Sequence, residues 1–532
     1  MNNDVQRKLA VSAVAVVGAL SAAGTAAAHS HRAYHVQRPH AQHRRLVVAG
    51  TDGNDTIALR LDPARRHTLD VDVGDDGSAD FRVNLEPIDA ITLAGGAGDD
   101  RLRIDDSNGS FTDTIPTTID GGGGNDTLSG GAGNELLLGG AGNDSVDGNG
   151  GADVAYLGSG DDSFVWDPGD GSDRIDGQDG NDTMVFNGAA ADERVGVSAS
   201  GDRVIFSRAP GNITMNTGGV EQIDFNGLGG SDSIGVNDLD GTGVSAVNVD
   251  LAGTLGQVDV DATNGDDLVN VSGNAGGVAV TGQAARVNVL HPQPTDELDV
   301  NGLAGDDSIS ATGLAASTIG LRLDGGDGND RIAGGPGVET LLGGAGDDQV
   351  DGNGGNDVAD LGAGDDTFVW DPGDGSDTVE GGDGNDAMIF NGAAGAETVT
   401  VSPKGDRVTF FRTPGNVTMD TRSVENIDFN AIGGADLVTV NNLTGTGVSD
   451  VQVDLAGAVG GHVVVNGTNG DDTFVVKGGV SVAGSATTVG ILHSEAANDR
   501  LDINTLAGTD VVDHSRLTPG VIQLFIDGIA IP

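Results

Sequence analysis

Short alternations of apolar and polar residues recur every nine residues along two stretches of the chain, and glycines separate them. The repeated unit is Gly-Gly-x-Gly-x-Asp-x-U-x, where U is a large apolar residue, as in 121–129 (GGGGNDTLS) and 139–147 (GGAGNDSVD). The last three residues fit a short strand whose apolar eighth residue points inward. The glycine-rich hexapeptide can turn sharply, because glycine tolerates positive φ. Two units therefore predict a flattened coil with two strands and two turns.

The units form two matching blocks of seven, displaced by 204 residues, as from Asp126 to Asp330. The decapeptide FVWDPGDGSD stands at 164–173 and again at 368–377. The segments outside the blocks are related in the same way, because VEQIDFNGLGGSDSIGVNDL at 220–239 corresponds to VENIDFNAIGGADLVTVNNL 204 residues later. The chain is therefore an internal duplication of repeated units.

Stacking two-unit coils places each residue above the one eighteen positions later, about 4.8 Å away. Asp126 then lies over Asp144, and Glu135 lies over Asp153. A column of carboxylates at this spacing repels itself in water. Calcium removes the repulsion, since it accepts about six to eight oxygen ligands from carboxylates and backbone carbonyls. Magnesium demands tighter octahedral geometry and is the weaker candidate.

These residues resemble the RTX, or hemolysin-type, calcium-binding repeat family. The resemblance implies a parallel β-roll with calcium between successive turns, bound by sixth-position carboxylates and by carbonyls of the glycine turns. It covers 121–185 and 325–389, and single copies stand at Asp55, Asp100, Asp232, Asp267, Asp307 and Asp472. Carried over to this chain, the implied metal ligands are Asp126, Glu135, Asp144, Asp153, Asp162, Asp173, Asp182, Asp330, Glu339, Asp348, Asp357, Asp366, Asp377 and Asp386.

The repeats depart from the family pattern in two ways. Glu135 and Glu339 are one methylene longer than aspartate. Two extra residues, Trp166-Asp167 and Trp370-Asp371, interrupt the ninefold spacing. The aromatic residues of this interruption are expected to cap or bridge coils, and an exposed ligand-binding platform is the alternative.

The predicted fold is all-β: a parallel β-roll or β-solenoid of glycine-rich nonapeptides, internally duplicated with a 204-residue offset. Outside the blocks, alternating runs with Gly, Asn and Asp between them predict strands and turns. Either the solenoid continues there with longer, irregular turns, which we favour because stacked repeats share a core, or small β-sandwich modules separate two β-rolls. The predicted organisation is a signal peptide at 1–28, a His/Arg-rich linker at 29–46, a partial repeat unit at 47–118, block 1 at 119–190, a β-rich segment at 191–322, block 2 at 323–394 and a β-rich C-terminal segment at 395–532.

The N-terminus predicts a cleaved signal peptide and therefore a secreted, extracellular protein. Arg7 and Lys8 precede an apolar stretch at 9–22, and alanines at 26–28 offer a cleavage site. The stretch is short for a transmembrane helix, so we expect no membrane span in the mature chain; an uncleaved anchor is the alternative. The residues that follow contain His29, His31, His35, His40 and His43. We interpret them as a basic linker, with a copper or nickel site at His31 as the alternative.

Charge and composition limit the classes of molecule that the protein is expected to bind. The net charge is −55, from 81 acidic and 26 basic residues, which disfavours binding to nucleic acid or anionic membrane. The chain has no cysteine, so disulfides cannot stabilise the fold. Its 91 glycines would suggest disorder without a period, but here they mark turns.

The sequence predicts a protein that is not an enzyme. It has no HExxH zinc motif, no GxSxG nucleophile elbow and no Walker lysine. We expect a secreted calcium-binding repeat protein whose β-rolls fold on binding calcium and which has a structural, surface or matrix role. The alternatives are an extracellular adhesin or polysaccharide-binding protein that uses a solenoid face and, less favoured, a secreted hydrolase with repeats.

Overall fold

The computed structural model describes residues 35–37, 44–484 and 487–532. These residues form strands, turns and a 3-10 turn at Asp106–Asn108, and α-helix is absent among them. None of them belongs to a helix long and apolar enough to cross a membrane. The predicted signal peptide at 1–28, and all of the linker except 35–37 and 44–46, lie outside the described residues.

The strands form two long sheets, sheet A and sheet B, and the chain passes from one to the other and back in each rung. Strands are numbered in chain order. Sheet A contains β1 His35–Gln37, β2 Arg45–Ala49, β6 Ala90–Ala97, β8 Thr117–Gly123, β10 Glu135–Ala141, β12 Val154–Ser159, β14 Arg174–Asp179, β16 Arg194–Ser200, β17 Arg203–Ala209, β18 Ile213–Gly218, β20 Ser231–Val236, β22 Leu255–Asp261, β26 Glu297–Asn301, β28 Gly320–Asp327, β30 Glu339–Ala345, β32 Val358–Ala363, β34 Thr378–Asp383, β36 Thr398–Lys404, β37 Arg407–Thr413, β38 Val417–Arg422, β40 Leu437–Val440, β42 His462–Asn466, β46 Arg500–Asn504, β48 Gln523–Ile526 and β49 Ile529–Ala530.

Sheet B faces sheet A across a shared apolar core. It contains β3 Thr56–Asp62, β4 Arg65–Val73, β5 Phe81–Asn84, β7 Arg101–Asp105, β9 Thr127–Ser129, β11 Ser145–Asp147, β13 Ser163–Trp166, β15 Thr183–Asn187, β19 Gln222–Asn226, β21 Ala246–Asp250, β23 Leu268–Asn274, β24 Gly277–Thr281, β25 Arg286–Leu290, β27 Ser308–Leu314, β29 Arg331–Ala333, β31 Gln349–Asp351, β33 Thr367–Trp370, β35 Ala387–Asn391, β39 Asn426–Asn430, β41 Asp450–Asp454, β43 Thr473–Gly478, β44 Val480–Ala483, β45 Thr488–Leu492 and β47 Val511–Leu517.

The blocks are parallel β-rolls, as the sequence predicts. In sheet A, Leu137 of β10 lies opposite Ile119 of β8 on one side and Ala155 of β12 on the other, so one rung spans eighteen residues. Every apolar eighth-position residue is buried: Leu128, Leu137, Val146, Ala155, Phe164, Ile175, Met184, Ile332, Leu341, Val350, Ala359, Phe368, Val379 and Met388. These side chains form the core between the two sheets.

Glycine is required where successive turns touch. Gly140 has a φ of +120°, which L side chains rarely adopt, and a Cβ at this position would collide with the carbonyl oxygen of Gly122 in the preceding rung. Gly142 and Gly124 repeat this contact two residues further on. The glycines at the second and fourth positions of the unit therefore permit the close stacking of rungs.

Outside the blocks both sheets continue. Three-stranded antiparallel meanders are inserted there, and the outer strands of each meander pair in parallel with the neighbouring rungs. In sheet A, β18 pairs in parallel with β14, β17 lies in the middle, and β16 pairs in parallel with β20. In sheet B, β23–β25 lie between β21 and β27 in the same way. Both meanders recur in the second half as β36–β38 and β43–β45. The solenoid therefore extends through 191–322 and 395–532, with added strands in place of irregular turns.

The partial unit at 47–118 contains a similar meander. Strands β3, β4 and β5 are antiparallel neighbours, and β3 pairs in parallel with β7 of the next rung. This is the arrangement of β23–β25 at the start of block 2, where β23 pairs with β27. Both blocks therefore follow the same kind of meander.

An aromatic stack joins each block to its following meander. The Trp166 and Phe186 rings lie 4.0 Å apart at 5°, and Phe186 contacts Phe206 of the meander at 4.4 Å. Trp370, Phe390 and Phe410 repeat the stack. Trp166 is 1% exposed, so these rings bridge coils inside the core and do not form an exposed platform.

Candidate metal centre

The predicted ligands line the two edges of the roll. Turns from sheet A to sheet B form edge 1, and turns from sheet B to sheet A form edge 2. All fourteen predicted ligands are buried, with at most 4% of any residue exposed. Edge 1 carries Asp126, Asp144, Asp162 and Asp182 in block 1 and Asp330, Asp348, Asp366 and Asp386 in block 2. Edge 2 carries Glu135, Asp153 and Asp173 in block 1 and Glu339, Asp357 and Asp377 in block 2.

One carboxylate oxygen of each aspartate in these columns accepts a hydrogen bond from the preceding rung. The Asp126 backbone N–H donates to Asp144 Oδ1 at 2.8 Å, and the Asp144 N–H donates to Asp162 Oδ1 at 2.7 Å. On edge 2, the Glu135 N–H donates to Asp153 Oδ1 at 2.6 Å. The carboxylates therefore stack in register along each edge, as the eighteen-residue spacing predicts.

The second carboxylate oxygen has no hydrogen-bond partner among the described residues. This holds for every predicted ligand except Glu339, and the oxygen is buried in each case. A buried carboxylate oxygen without a donor is costly unless a cation neutralises it. These oxygens identify the positions at which each turn can bind a positive charge.

Backbone carbonyls complete the oxygen-lined space. A Cβ built on Gly139 would meet both Asp144 Oδ2, at 2.6 Å, and the carbonyl oxygen of Leu157 in the next rung. In block 2, a Cβ on Gly325 would meet Asp330 Oδ2 and the Gly343 carbonyl oxygen. The first-position glycine therefore leaves a space where a free carboxylate oxygen and a carbonyl oxygen meet. This donor set fits a hard cation such as calcium.

No three His, Cys, Asp or Glu side chains converge on one point anywhere in the described ranges. A cation in these columns would therefore take much of its coordination from backbone carbonyls. That requirement matches the all-oxygen preference of calcium and disfavours zinc or copper, which prefer nitrogen and sulfur ligands.

Burial makes the metal-free columns electrostatically unfavourable. Desolvation raises the pKa of Asp144 and of its counterpart Asp348 to about 7. On edge 2, burial raises the pKa of Asp153 to about 9 and that of Asp357 to about 8. Neighbouring carboxylates of the same column contribute to these shifts after desolvation. A bound cation would oppose both effects, because it favours the ionised form.

The two-residue interruption does not break the columns. Across it, the Asp153 N–H donates to Asp173 Oδ1 and the Asp162 N–H donates to Asp182 Oδ1, both at 2.9 Å. These pairs are twenty residues apart, so the extra residues are accommodated in the turn after Trp166. The flanking carboxylates keep the geometry of the regular sites.

The single copies of the motif extend the columns. The Asp100 N–H donates to Asp126 Oδ1 at 2.8 Å, and Asp307 stands in the same relation to Asp330. Asp55 lies one rung before Asp100, and Asp267 one rung before Asp307. The second oxygens of Asp100 and Asp307 are also buried and unpartnered within the described chain. The motif is present in the sequence at these positions. Because each copy stands alone there, the sequence did not show that these aspartates continue the carboxylate columns of the blocks.

Asp232 and Asp472 take other partners. Asp232 Oδ1 accepts from the Glu193 N–H at 3.0 Å, and the Asp472 N–H donates to Asp510 Oδ1 at 2.9 Å. Glu193 and its counterpart Glu397 occupy the sixth position of turns that begin at Gly188 and Gly392. The first of these turns has none of the other glycines of the unit, and the second has only Gly395. The sequence reasoning therefore missed both glutamates.

At Glu193 and Glu397 the positive charge comes from the chain itself. Arg208 of β17 donates to Glu193 Oε1, and its guanidinium lies 5.2 Å from the Trp166 ring centroid. Arg412 pairs with Glu397 and lies over Trp370 in the same way. Both glutamate side chains are at most 1% exposed. The edge-2 turn that follows each block thus neutralises its own carboxylate with an internal ion pair, although in the second half the next turn again has a buried, unpartnered oxygen at Asp436.

Comparison with known proteins identifies the repeats. The RTX calcium-binding nonapeptide repeat family matches residues 118–134, 129–164, 169–188, 322–338, 334–368 and 373–396. Curated proteins gave no match to the chain. The matching solved structures include the extracellular lipase LipA from Serratia marcescens, with 15% sequence identity and a TM-score of 0.15, over 64% of this chain and 43% of the lipase chain. This chain thus spans less than half of the lipase. Each half of the duplication therefore contains one block of RTX calcium-binding nonapeptide repeats.

Proposed function

We propose that this chain is a secreted protein whose β-rolls fold on binding many calcium ions, and that it has a structural role at the cell surface or in an extracellular matrix. The observation that carries the proposal is the column of buried carboxylates, each with one oxygen held by the backbone and one oxygen free. Repetition of this arrangement along both edges of both blocks supports several ions per block.

Calcium would supply a large part of the folding free energy. Binding only to the folded state adds stability to it. Extracellular calcium modules have dissociation constants of about 10⁻⁴–10⁻³ M, so calcium at one to ten times that level gives roughly 0.4–1.4 kcal/mol per site. Several such sites together give several kcal/mol, which approaches the whole stability of a typical domain.

The proposed role is not enzymatic. The acidic residues recur at every turn and have equivalent surroundings, whereas an active site needs one distinct constellation of groups. Secretion rests on the predicted signal peptide, which lies outside the described residues, and on the calcium supply that such columns require. Both agree with a rigid calcium-loaded rod outside the cell.

A surface polysaccharide is the second candidate partner, supported by polar ladders on the outer face of sheet B. The Asn288 side chain donates to Asn248 Oδ1, and the Asn248 side chain donates to Asp224 Oδ1, both at 2.7 Å. These groups repeat once per rung and present polar atoms that can hydrogen-bond to hydroxyl groups. Binding of an extracellular glycan by the calcium-loaded chain, lost on chelation, would support this role.

The experiment that tests the main proposal is far-UV circular dichroism of residues 29–532 during a calcium titration that starts in EDTA. We expect a cooperative gain of β signal at roughly 0.1–1 mM calcium, and magnesium at the same concentration serves as the control. A β signal that is already complete in EDTA and unchanged by calcium would contradict metal-coupled folding.

A further inference from the structure

The first edge-2 turn of block 1 brings side chains from outside the repeat to Glu135. Three consecutive backbone N–H groups each donate to a different side chain: Gly131 to Glu135 Oε2 at 2.7 Å, Ala132 to Asp106 Oδ2 at 2.7 Å and Gly133 to Thr112 Oγ1 at 2.9 Å. Asp106 begins the 3-10 turn that follows β7. Two carboxylates and a hydroxyl are therefore fixed on one short turn.

The remaining oxygens of both carboxylates are free. Glu135 Oε1 and Asp106 Oδ1 are buried, and neither has a hydrogen-bond partner in the part of the chain that the structure describes. Glu135 is 3% exposed. A Cβ on Gly131 would lie 2.9 Å from Thr112 Oγ1 and 3.1 Å from Asp106 Oδ2, which shows how closely these groups surround the turn. Two buried carboxylate oxygens without donors at one turn are costly when ionised, and a bound cation would offset that cost.

The matching turn in block 2 lacks this arrangement. Arg101 pairs with Thr127 at the start of block 1, and Ser308 pairs with Arg331 at the start of block 2, so Arg101 and Ser308 are equivalent positions. Counting five residues onward from each, Gly313 is the block 2 equivalent of Asp106. Glu339 replaces Glu135, and the Gly335 N–H donates to its Oε2 at 3.1 Å. Among the described residues, neither Glu339 carboxylate oxygen is both buried and without a hydrogen-bond partner, in contrast to Glu135 Oε1.

We propose that Asp106 and Glu135 together bind a calcium ion, and that Thr112 lies beside this site. Block 2 has no equivalent site. This inference deepens the proposed function, since it adds a site with a ligand from outside the nonapeptides. The ion would lie at the start of the edge-2 column and would hold the turn after β7 onto the first rung of block 1. Block 1 would then bind one more calcium ion than block 2 on this edge.

Native mass spectrometry of the full chain at a fixed free calcium concentration tests the assignment by counting bound ions. We expect Asp106→Asn to bind one calcium ion fewer than the unsubstituted chain. Asp113→Asn is the control, because it removes the same charge from a neighbouring exposed residue outside the site. An equal ion count for Asp106→Asn and the unsubstituted chain would overturn the inference.

A second pair of variants compares the blocks. Glu135→Gln is expected to lose an ion, whereas Glu339→Gln is expected to keep the full number, because Glu339 has no buried carboxylate oxygen without a partner among the described residues. Hydrogen exchange in calcium should show faster exchange at the 131–133 amides in Asp106→Asn, with block 2 unchanged. Loss of an ion from Glu339→Gln but not from Glu135→Gln would contradict the assignment. An unsubstituted chain that binds no calcium would instead refute the proposed function, and this inference with it.

Discussion

The repeat turns and the junction turns both bury a carboxylate at the sixth position of the turn, but the two kinds of turn neutralise that carboxylate differently. At Asp144, one oxygen accepts a backbone hydrogen bond and the other has no partner within the described chain. At Glu193, the Ala189 N–H donates to Oε2 at 3.0 Å and Arg208 donates to Oε1. The first arrangement leaves an oxygen that an external cation can neutralise, whereas in the second an arginine of the chain supplies the positive charge. Under the proposed function, calcium dependence is therefore a local property of the turns that retain a free carboxylate oxygen.

Removal of calcium should give the largest difference between the two regions. In EDTA, the amides of 126–147 and 330–351 should lose several kcal/mol of protection, because their carboxylates lose the cation that compensates burial. The meander amides at 203–217 and 407–421 should lose less. Hydrogen exchange with mass spectrometry, with magnesium replacing calcium as the control, makes the measurement. Equal loss in both regions would show that the internal ion pairs do not make the junctions independent of the metal.

Breaking the internal ion pair tests the junction directly. Arg412→Met should destabilise the calcium-loaded protein by about 3–5 kcal/mol, since it leaves Glu397 buried and unpaired. Urea denaturation in saturating calcium would measure the loss. Arg422→Met is the control, because Arg422 pairs with Asp406 on the surface with both side chains more than half exposed, and an exposed pair contributes about 0–1 kcal/mol. Similar losses in the two variants would argue against a special role for Arg412.

The pH should shift the stability of the metal-free columns in a defined direction. Burial raises the pKa of Asp182 to about 6 and that of Asp144 to about 7, above the ordinary value of about 3.9. Folding therefore tightens proton binding, and the stability this contributes is lost as pH rises from about 4 through 7. In EDTA, the melting temperature should be higher at pH 5 than at pH 8.

In saturating calcium the trend should reverse, because calcium competes with protons for the same oxygens. Thermal melts followed by circular dichroism at both pH values, with and without calcium, make the comparison. A melting temperature in EDTA that rises between pH 5 and pH 8 would contradict the assignment of the raised pKa values to these columns.

A single substitution in a column should give the smallest effect. Asp144→Asn keeps an acceptor for the Asp126 N–H but removes the charge, and we expect a loss of about 1 kcal/mol in calcium-loaded stability. Asp161→Asn is the matched control. Asp161 directly precedes Asp162 in the next turn of edge 1, and its exposed side chain accepts a hydrogen bond from the Asn181 N–H at 3.0 Å. The calcium midpoint should rise for Asp144→Asn alone. An equal shift in both variants would indicate general electrostatics in place of a specific site.

The blocks were predictable from the sequence because each nine-residue unit contains the residues that form its turn, its core contact and its carboxylate. Gly140 and Gly142 turn and stack, Val146 fills the core, and Asp144 faces the edge. All of these roles follow from spacing within nine residues and from the same spacing one rung later. The ladder Asp126–Asp144–Asp162 therefore follows from the repeat spacing alone.

The junctions were less predictable, because their partners are distant in sequence and follow no period. Arg208 reaches Glu193 only because the β16–β18 meander folds back onto the sheet, and nothing in the local sequence of either residue reveals the pair. Asp106 reaches the turn at Ala132 across 26 residues, in a segment without nonapeptide spacing. Neither contact recurs at a short, fixed spacing along the sequence, so no repeat pattern could have predicted it.

The sequence by itself determined the rung: its length, its turns, its buried apolar column and the residue that carries the carboxylate. These features depend on local backbone preference and on a period that repeats identical neighbours. Only the tertiary structure decided how the two sheets continue between the blocks, which carboxylates receive an arginine and which retain a free oxygen. The physical reason is that such pairings depend on which distant strands become neighbours, and strand insertion alters that order without changing the local pattern.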